Sequence, residues 1–126
     1  MNKFLHTRIR VGDLDRSIAF YRDHLGFTVA SRNDKSPAGN QIVMLELPGN
    51  EHLLELTYSG GYELKVPTDL MHFAIGVPDI IACCDKLENG GLEIWPDGWR
   101  EQFSTGGRKM AFVDDPDGYE IEILER

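Results

Sequence analysis

Apolar and polar side chains alternate along residues 4–11, the period of a β-strand. The alternation sends Leu5, Thr7, Ile9 and Val11 to one face and His6, Arg8 and Arg10 to the other. The period then changes to that of a helix. Asp13 is a good N-cap, Asp15 suits the first turn, Ile18, Ala19, Tyr21 and Leu25 form an apolar stripe, and Gly26 is a natural stop. Strands are predicted at 27–33, 41–47 and 51–58, with a turn at Pro48-Gly49-Asn50. Residues 71–77 begin the succession again. They predict a strand with Met71, Phe73, Ile75 and Val77 on its apolar side, then a helix over 79–89 capped by Asp79. Strands follow at 92–95, 109–113 and 119–124, the last two joined by the strong turn Asp115-Pro116-Asp117-Gly118. Residues 34–40, 60–70 and 96–108 read as loops, the last carrying Trp99 and Phe103.

This succession is an internal repeat. HTRIRVGDL at 6–14 matches HFAIGVPDI at 72–80, with His6/His72, Ile9/Ile75, Val11/Val77 and Asp13/Asp79 all 66 residues apart. The far ends match more loosely. PGNEHLLEL at 48–56 and PDGYEIEIL at 116–124 are each a turn followed by a strand holding a glutamate. Each half therefore runs from a His-bearing strand to a Glu-bearing one: 49 residues separate His6 from Glu55, and 50 separate His72 from Glu122. The expected fold is α+β. Two tandem βαβββ modules, 1–60 and 68–126, form a curved mixed sheet within one domain over residues 1–126.

Composition narrows the function classes. A formal net charge of −8 disfavours a general role on nucleic acid, which draws on clustered Lys and Arg. No segment reaches the roughly 20 apolar residues of a membrane span, and MNKFLHTRIRV lacks the apolar stretch of a signal peptide. A cytoplasmic protein is expected. Cys83 and Cys84 are the two cysteines, adjacent and poorly placed to pair, and they read as packing residues on a helix.

His6, Glu55, His72 and Glu122 all project away from the main apolar face of their strands. Two imidazoles and two carboxylates suit a borderline divalent ion such as Zn, Ni, Co or Fe; an all-oxygen set would suit Mg or Ca. Taken singly, each of the four has an ordinary alternative, a hydrogen-bonded strand histidine or a solvated strand glutamate. Their recurrence at matching places in both halves favours the metal. Glu120 and Glu125 read as solvated, and Glu51 and His52 as turn residues facing water.

At these residues the chain resembles the vicinal-oxygen-chelate (glyoxalase/bleomycin-resistance/dioxygenase-like) superfamily and, within it, glyoxalase I, the lactoylglutathione lyases. The resemblance covers almost the whole chain. It is carried by LHTRIRVGDLDRSIAFYRDHLGF at 5–27, LLELTY at 53–58, HFAIGV at 72–77 and AFVDDPDGYEIEIL at 111–124. Family ligands run His, Glu or Gln, His, Glu, which implies His6, Glu55, His72 and Glu122 as the ligands here. Extradiol dioxygenases and fosfomycin-modifying members usually use two His and one Glu, and epimerases usually carry Gln where Glu55 stands. The resemblance also implies that Arg10 holds a carboxylate of the thiol, with Arg108 or Lys109 as a further contact. Ser59 stands where the family usually has Asn, and the segment 59–71 departs from the usual loop. Bacillithiol or another thiol therefore stands beside glutathione as a candidate.

The activity implied is isomerisation of the methylglyoxal–thiol hemithioacetal to the S-D-lactoyl thioester through an enediolate. Glu122 is the base and Glu55 the second carboxylate. One divalent ion per site is implied, Ni or Co ahead of Zn, in a homodimer. The rivals are another metal-dependent member acting on a chelating oxygen substrate, of epimerase or dioxygenase type, and a metal-free small-molecule binding protein.

Overall fold

The computed structural model describes residues 1–104, 106 and 109–126. The chain divides into two compact units, Met1–Lys65 and Val66–Arg126.

In the first unit, β1 (His6–Arg10) leads into α1 (Leu14–Leu25), then β2 (Thr28–Asn33), β3 (Gln41–Glu46) and β4 (Leu53–Tyr58). The strands form one mixed sheet in the order β1-β4-β3-β2, with β1 parallel to β4 and the other pairs antiparallel. Asp13 caps α1 as its chemistry predicts: its side chain accepts from the Arg16 backbone N–H at 3.0 Å. Gly26 ends the helix at φ 80°, a left-handed conformation that glycine adopts without a Cβ penalty, and its N–H returns to the Arg22 carbonyl. The helix packs on β2 and β4. Tyr21, Val43, Leu45 and Leu56 are almost wholly buried, and Tyr21 meets Phe20 and Phe27 edge to face.

The second unit runs β5 (His72–Val77), α2 (Ile80–Asn89), α3 (Trp99–Ser104), β6 (Met110–Asp114) and β7 (Glu120–Glu125). Its strands order as β5-β7-β6, again with the first pair parallel. Asp79 caps α2 through the Ala82 N–H at 3.0 Å. Ile80, Cys84, Leu87, Ile121 and Ile123 are fully buried. Burial pushes the Cys84 thiol up to about 12, and the half-buried Cys83 is raised for the same reason. Both cysteines belong to the packing.

Two elements of this unit differ from expectation. Residues 92–95 form no strand but one isolated bridge, in which Trp95 and Phe112 exchange backbone hydrogen bonds of 3.0 and 2.7 Å. Pro96 follows at once and has no N–H with which to extend a ladder. Residues 96–108 are not loop throughout, because α3 lies within them. Trp99 is buried edge-on to Phe103 four residues later. Arg100 lies over the Trp99 ring at 4.4 Å while pairing with Asp85 and Glu88 of α2. Six residues are too few for a helical period to show in sequence.

The apolar stripes of β1 and β5 also begin later than alternation suggests. Leu5 and Met71, one residue before each strand, are exposed, and the stripe closes over only at Ile9 and Ile75. Among the described residues, no helix is long and apolar enough to cross a membrane.

Candidate metal half-sites

Parallel pairing places the candidate ligands. In the first unit His6 stands opposite Leu53 and Arg8 opposite Glu55. In the second, His72 stands opposite Glu120 and Ala74 opposite Glu122. Each glutamate is thus displaced from its histidine by the same two residues. Residues two apart share a face of a strand, so each register brings an imidazole and a carboxylate together on one face.

The distances follow from this register. His6 Nε2 lies 3.6 Å from Glu55 Oε1, and His72 Nε2 lies 3.4 Å from Glu122 Oε1. Both carboxylates are nearly inaccessible, Glu55 at 3% and Glu122 at 7%, although a glutamate usually stays in water. Both histidines remain partly open. His72 Nδ1 is 2.9 Å from the Leu70 carbonyl. A carbonyl can only accept, so Nδ1 carries a hydrogen, and Nε2 is the ring nitrogen turned toward Glu122.

Where Nε2 carries no hydrogen, its lone pair faces the carboxylate oxygen and a cation can sit between them. Two ligands bonded at about 2.0–2.1 Å to one ion sit roughly 3.0 Å apart at an octahedral edge and about 3.3 Å apart at a tetrahedral one. The two observed spacings lie just outside those edges. The donor set, imidazole nitrogen with buried carboxylate oxygen, therefore fits part of the shell of a divalent metal in each unit. Each unit holds a pair: among the described residues, no group of three or more His, Cys, Asp or Glu side chains is placed to hold an ion.

The two carboxylates have different surroundings. Glu55 Oε2 accepts from Arg8 Nε and from Thr57 Oγ1 at 2.8 Å. Burial pushes the Glu55 carboxyl up, but those two hydrogen bonds and the charges of Arg8 and His6 outweigh it and hold the group below its ordinary value of 4.5. The places of Arg8 and Thr57 are taken in the second unit by Ala74 and Leu124, whose side chains have no polar hydrogen.

The other predicted residues are placed as follows. Arg10 Nη1 donates to Ser59 Oγ at 2.9 Å, its guanidinium lies 4.0 Å over the Tyr62 ring, and Ser59 donates to Asn40 Oδ1 at 2.6 Å. Lys109 pairs with Glu125 at 2.7 Å, which raises the lysine and lowers the carboxyl. Arg108 lies outside the described residues. Glu125, expected to be solvated, also accepts from the Ile80 N–H at 3.2 Å. His52 is engaged on both nitrogens, with the Phe4 carbonyl at 3.0 Å and Thr7 Oγ1 at 2.9 Å, so it is not a spare ligand. Trp95 stacks on Phe112 at 4.3 Å, and Phe112 meets the His72 ring edge-on, which puts an aromatic wall beside the second pair.

Sequence reasoning missed Arg8 and Thr57. The signal was present, since alternation sets Arg8 on the face of His6, but the register that aims it at Glu55 is a property of the folded sheet. An open cavity of about 320 Å³ at the start of α1, between Asp15, Arg32, Gln41 and Tyr58, includes neither pair.

Comparison with known proteins extends this geometry. The family described as the Glyoxalase/Bleomycin resistance protein/Dioxygenase superfamily matches residues 3–123. A probable lactoylglutathione lyase of Synechocystis sp. is 38% identical, covering 96% of this chain and 93% of that protein. The lactoylglutathione lyase of Haemophilus influenzae is 37% identical over 98% and 92% of the two chains. The solved structure of the trypanothione-dependent glyoxalase I of Leishmania major superposes with a TM-score of 0.80 at 38% identity, over 99% of this chain and 87% of that one.

Proposed function

This chain belongs to the glyoxalase/bleomycin resistance protein/dioxygenase superfamily and is an enzyme of its lactoylglutathione lyase (glyoxalase I) group, and from that premise we propose that it isomerises the hemithioacetal of methylglyoxal and a cellular thiol to the S-D-lactoyl thioester. The observation that carries the reading is the duplicated His–Glu pair, His6 with Glu55 and His72 with Glu122, held at matching register in both units. In the homodimer we expect, His6, Glu55, His72 and Glu122 would hold one divalent ion; Ni or Co is favoured and Zn is the alternative.

When bound, such an ion would supply positive charge against the negative charge that develops on the substrate oxygens. Glu122 takes the proton from C1 of the hemithioacetal and returns it to C2, while the hydroxyl proton on the C1 oxygen passes to the C2 oxygen. Its neighbours at Ala74 and Leu124 do not tie it down, as a base that must move a proton requires. Glu55, held by Arg8 and Thr57, stays anionic and in place. His6 and His72 act as neutral ligands, and the Leu70 carbonyl orients the second. Arg10, steadied by Ser59 and Tyr62, takes a carboxylate of the thiol, with Arg108 or Lys109 as a further contact. Ser59 in place of the usual Asn leaves glutathione and bacillithiol both to be tried.

The test is thioester formation from methylglyoxal with each thiol, by metal-free protein reloaded singly with Ni, Co, Zn or Mn. Activity restored by at least one metal with one of the thiols is expected. Full activity in the metal-free protein, or none with any combination, overturns the reading.

A further inference from the structure

Glu55 and Glu122 occupy equivalent places in the repeat, and among the described residues only Glu55 faces a cation from its own sheet. Arg8 stands directly across from Glu55 in the parallel register. Its Nε donates to Oε2, the same oxygen that takes the Thr57 hydroxyl, while Oε1 is the oxygen facing His6. Arg8 is half-exposed, whereas the carboxylate it reaches is almost fully buried. A guanidinium bonded to a buried carboxylate makes a strong, directional contact.

We infer that Arg8 is a positioning residue that occupies Glu55 Oε2, so that Glu55 offers a metal the single oxygen Oε1 and stays fixed beside His6. The inference rests on the metal reading above and deepens it. It also gives the two carboxylates separate tasks. A glutamate with both oxygens free can swing or bind through both, whereas one pinned on Oε2 by two donors can do neither. Arg8 further places a positive charge next to the ligand, which lowers affinity for a divalent ion by about tenfold relative to a neutral side chain. This chain thus exchanges some metal affinity for a fixed ligand, and Glu122, with Ala74 and Leu124 in the equivalent places, has no such clamp from its own sheet among the described residues.

The experiment compares wild type with Arg8→Met and Arg8→Gln, using cobalt(II) as the probe. Affinity is measured against a competing chelator, and ligation is read from the visible absorption of the bound ion. Arg8→Met removes both charge and donor: affinity should tighten about tenfold, and the absorption should shift and weaken as Glu55 binds through both oxygens. Arg8→Gln removes the charge but keeps a donor, so affinity should tighten similarly with the wild-type spectrum retained. If cobalt binds wild type but both variants match it in affinity and spectrum, the role of Arg8 is overturned while the metal reading stands. If wild type takes up no cobalt, the metal reading falls and the inference falls with it. Should Arg8→Met not fold, the affinity of Arg8→Gln decides alone, and an unchanged value overturns the inference.

Discussion

Glu55 and Glu122 show how far a residue's role depends on what surrounds it. Both are buried and both face an imidazole, but among the described residues only Glu55 accepts from an arginine and a threonine. For Glu122 the expectation is catalytic. Glu122→Gln keeps an oxygen ligand but loses the base, so it should retain metal while kcat falls by about 10²- to 10⁴-fold. Metal analysis beside steady-state rates checks this, and a wild-type rate would remove Glu122 as the base. For Glu55 the expectation concerns acid. Its carboxyl is held below 4.5 in the folded protein, so its stabilising contribution is complete above that value and fades as pH falls through the lowered one. Urea unfolding of metal-free protein should therefore show a smaller loss of stability below about pH 4.5 in Glu55→Gln than in wild type. Equal losses would contradict it.

At the scale of elements, local chemistry sets most boundaries. The Asp13 and Asp79 caps and the Gly26 stop act through backbone groups within a few residues, which is why both long helices were legible from the sequence. Asp13→Ala removes the acceptor for the Arg16 N–H and should cost about 1 kcal/mol in denaturant unfolding, with activity per folded molecule retained. No measurable loss would show that the cap does not stabilise α1. The errors of the sequence reading fell where distant groups decide. Trp95 was predicted to lie in a strand, but Pro96 leaves it a single bridge. The helix at Trp99–Ser104 is held to α2 through Arg100 and by the burial of Trp99, and no local pattern reports either. The His and Glu of each pair were legible because the repeat names them twice. Arg8 was not, because its partner depends on which residue of β4 lies across from it.

At the scale of the whole molecule, the organising feature is duplication, with differences in strand number, in the added α3 and around the carboxylate. Each unit is a small mixed sheet with one long helix, a parallel outer strand pair and one imidazole–carboxylate couple, and the second adds the short α3. Neither couple alone supplies the three or four protein donors typical of a tightly held borderline ion. Two couples together, as the proposed function requires, would meet that number, and an acidic chain of net charge −8 raises no general barrier to cation entry. The most direct measurement is X-ray absorption on nickel-loaded protein, with the histidine variants alongside. The account predicts two imidazoles on the ion in wild type and one in each of His6→Ala and His72→Ala, with carboxylate oxygens at about 2.0–2.2 Å. A nickel signal free of imidazole, or one that stays the same in both variants, would contradict it.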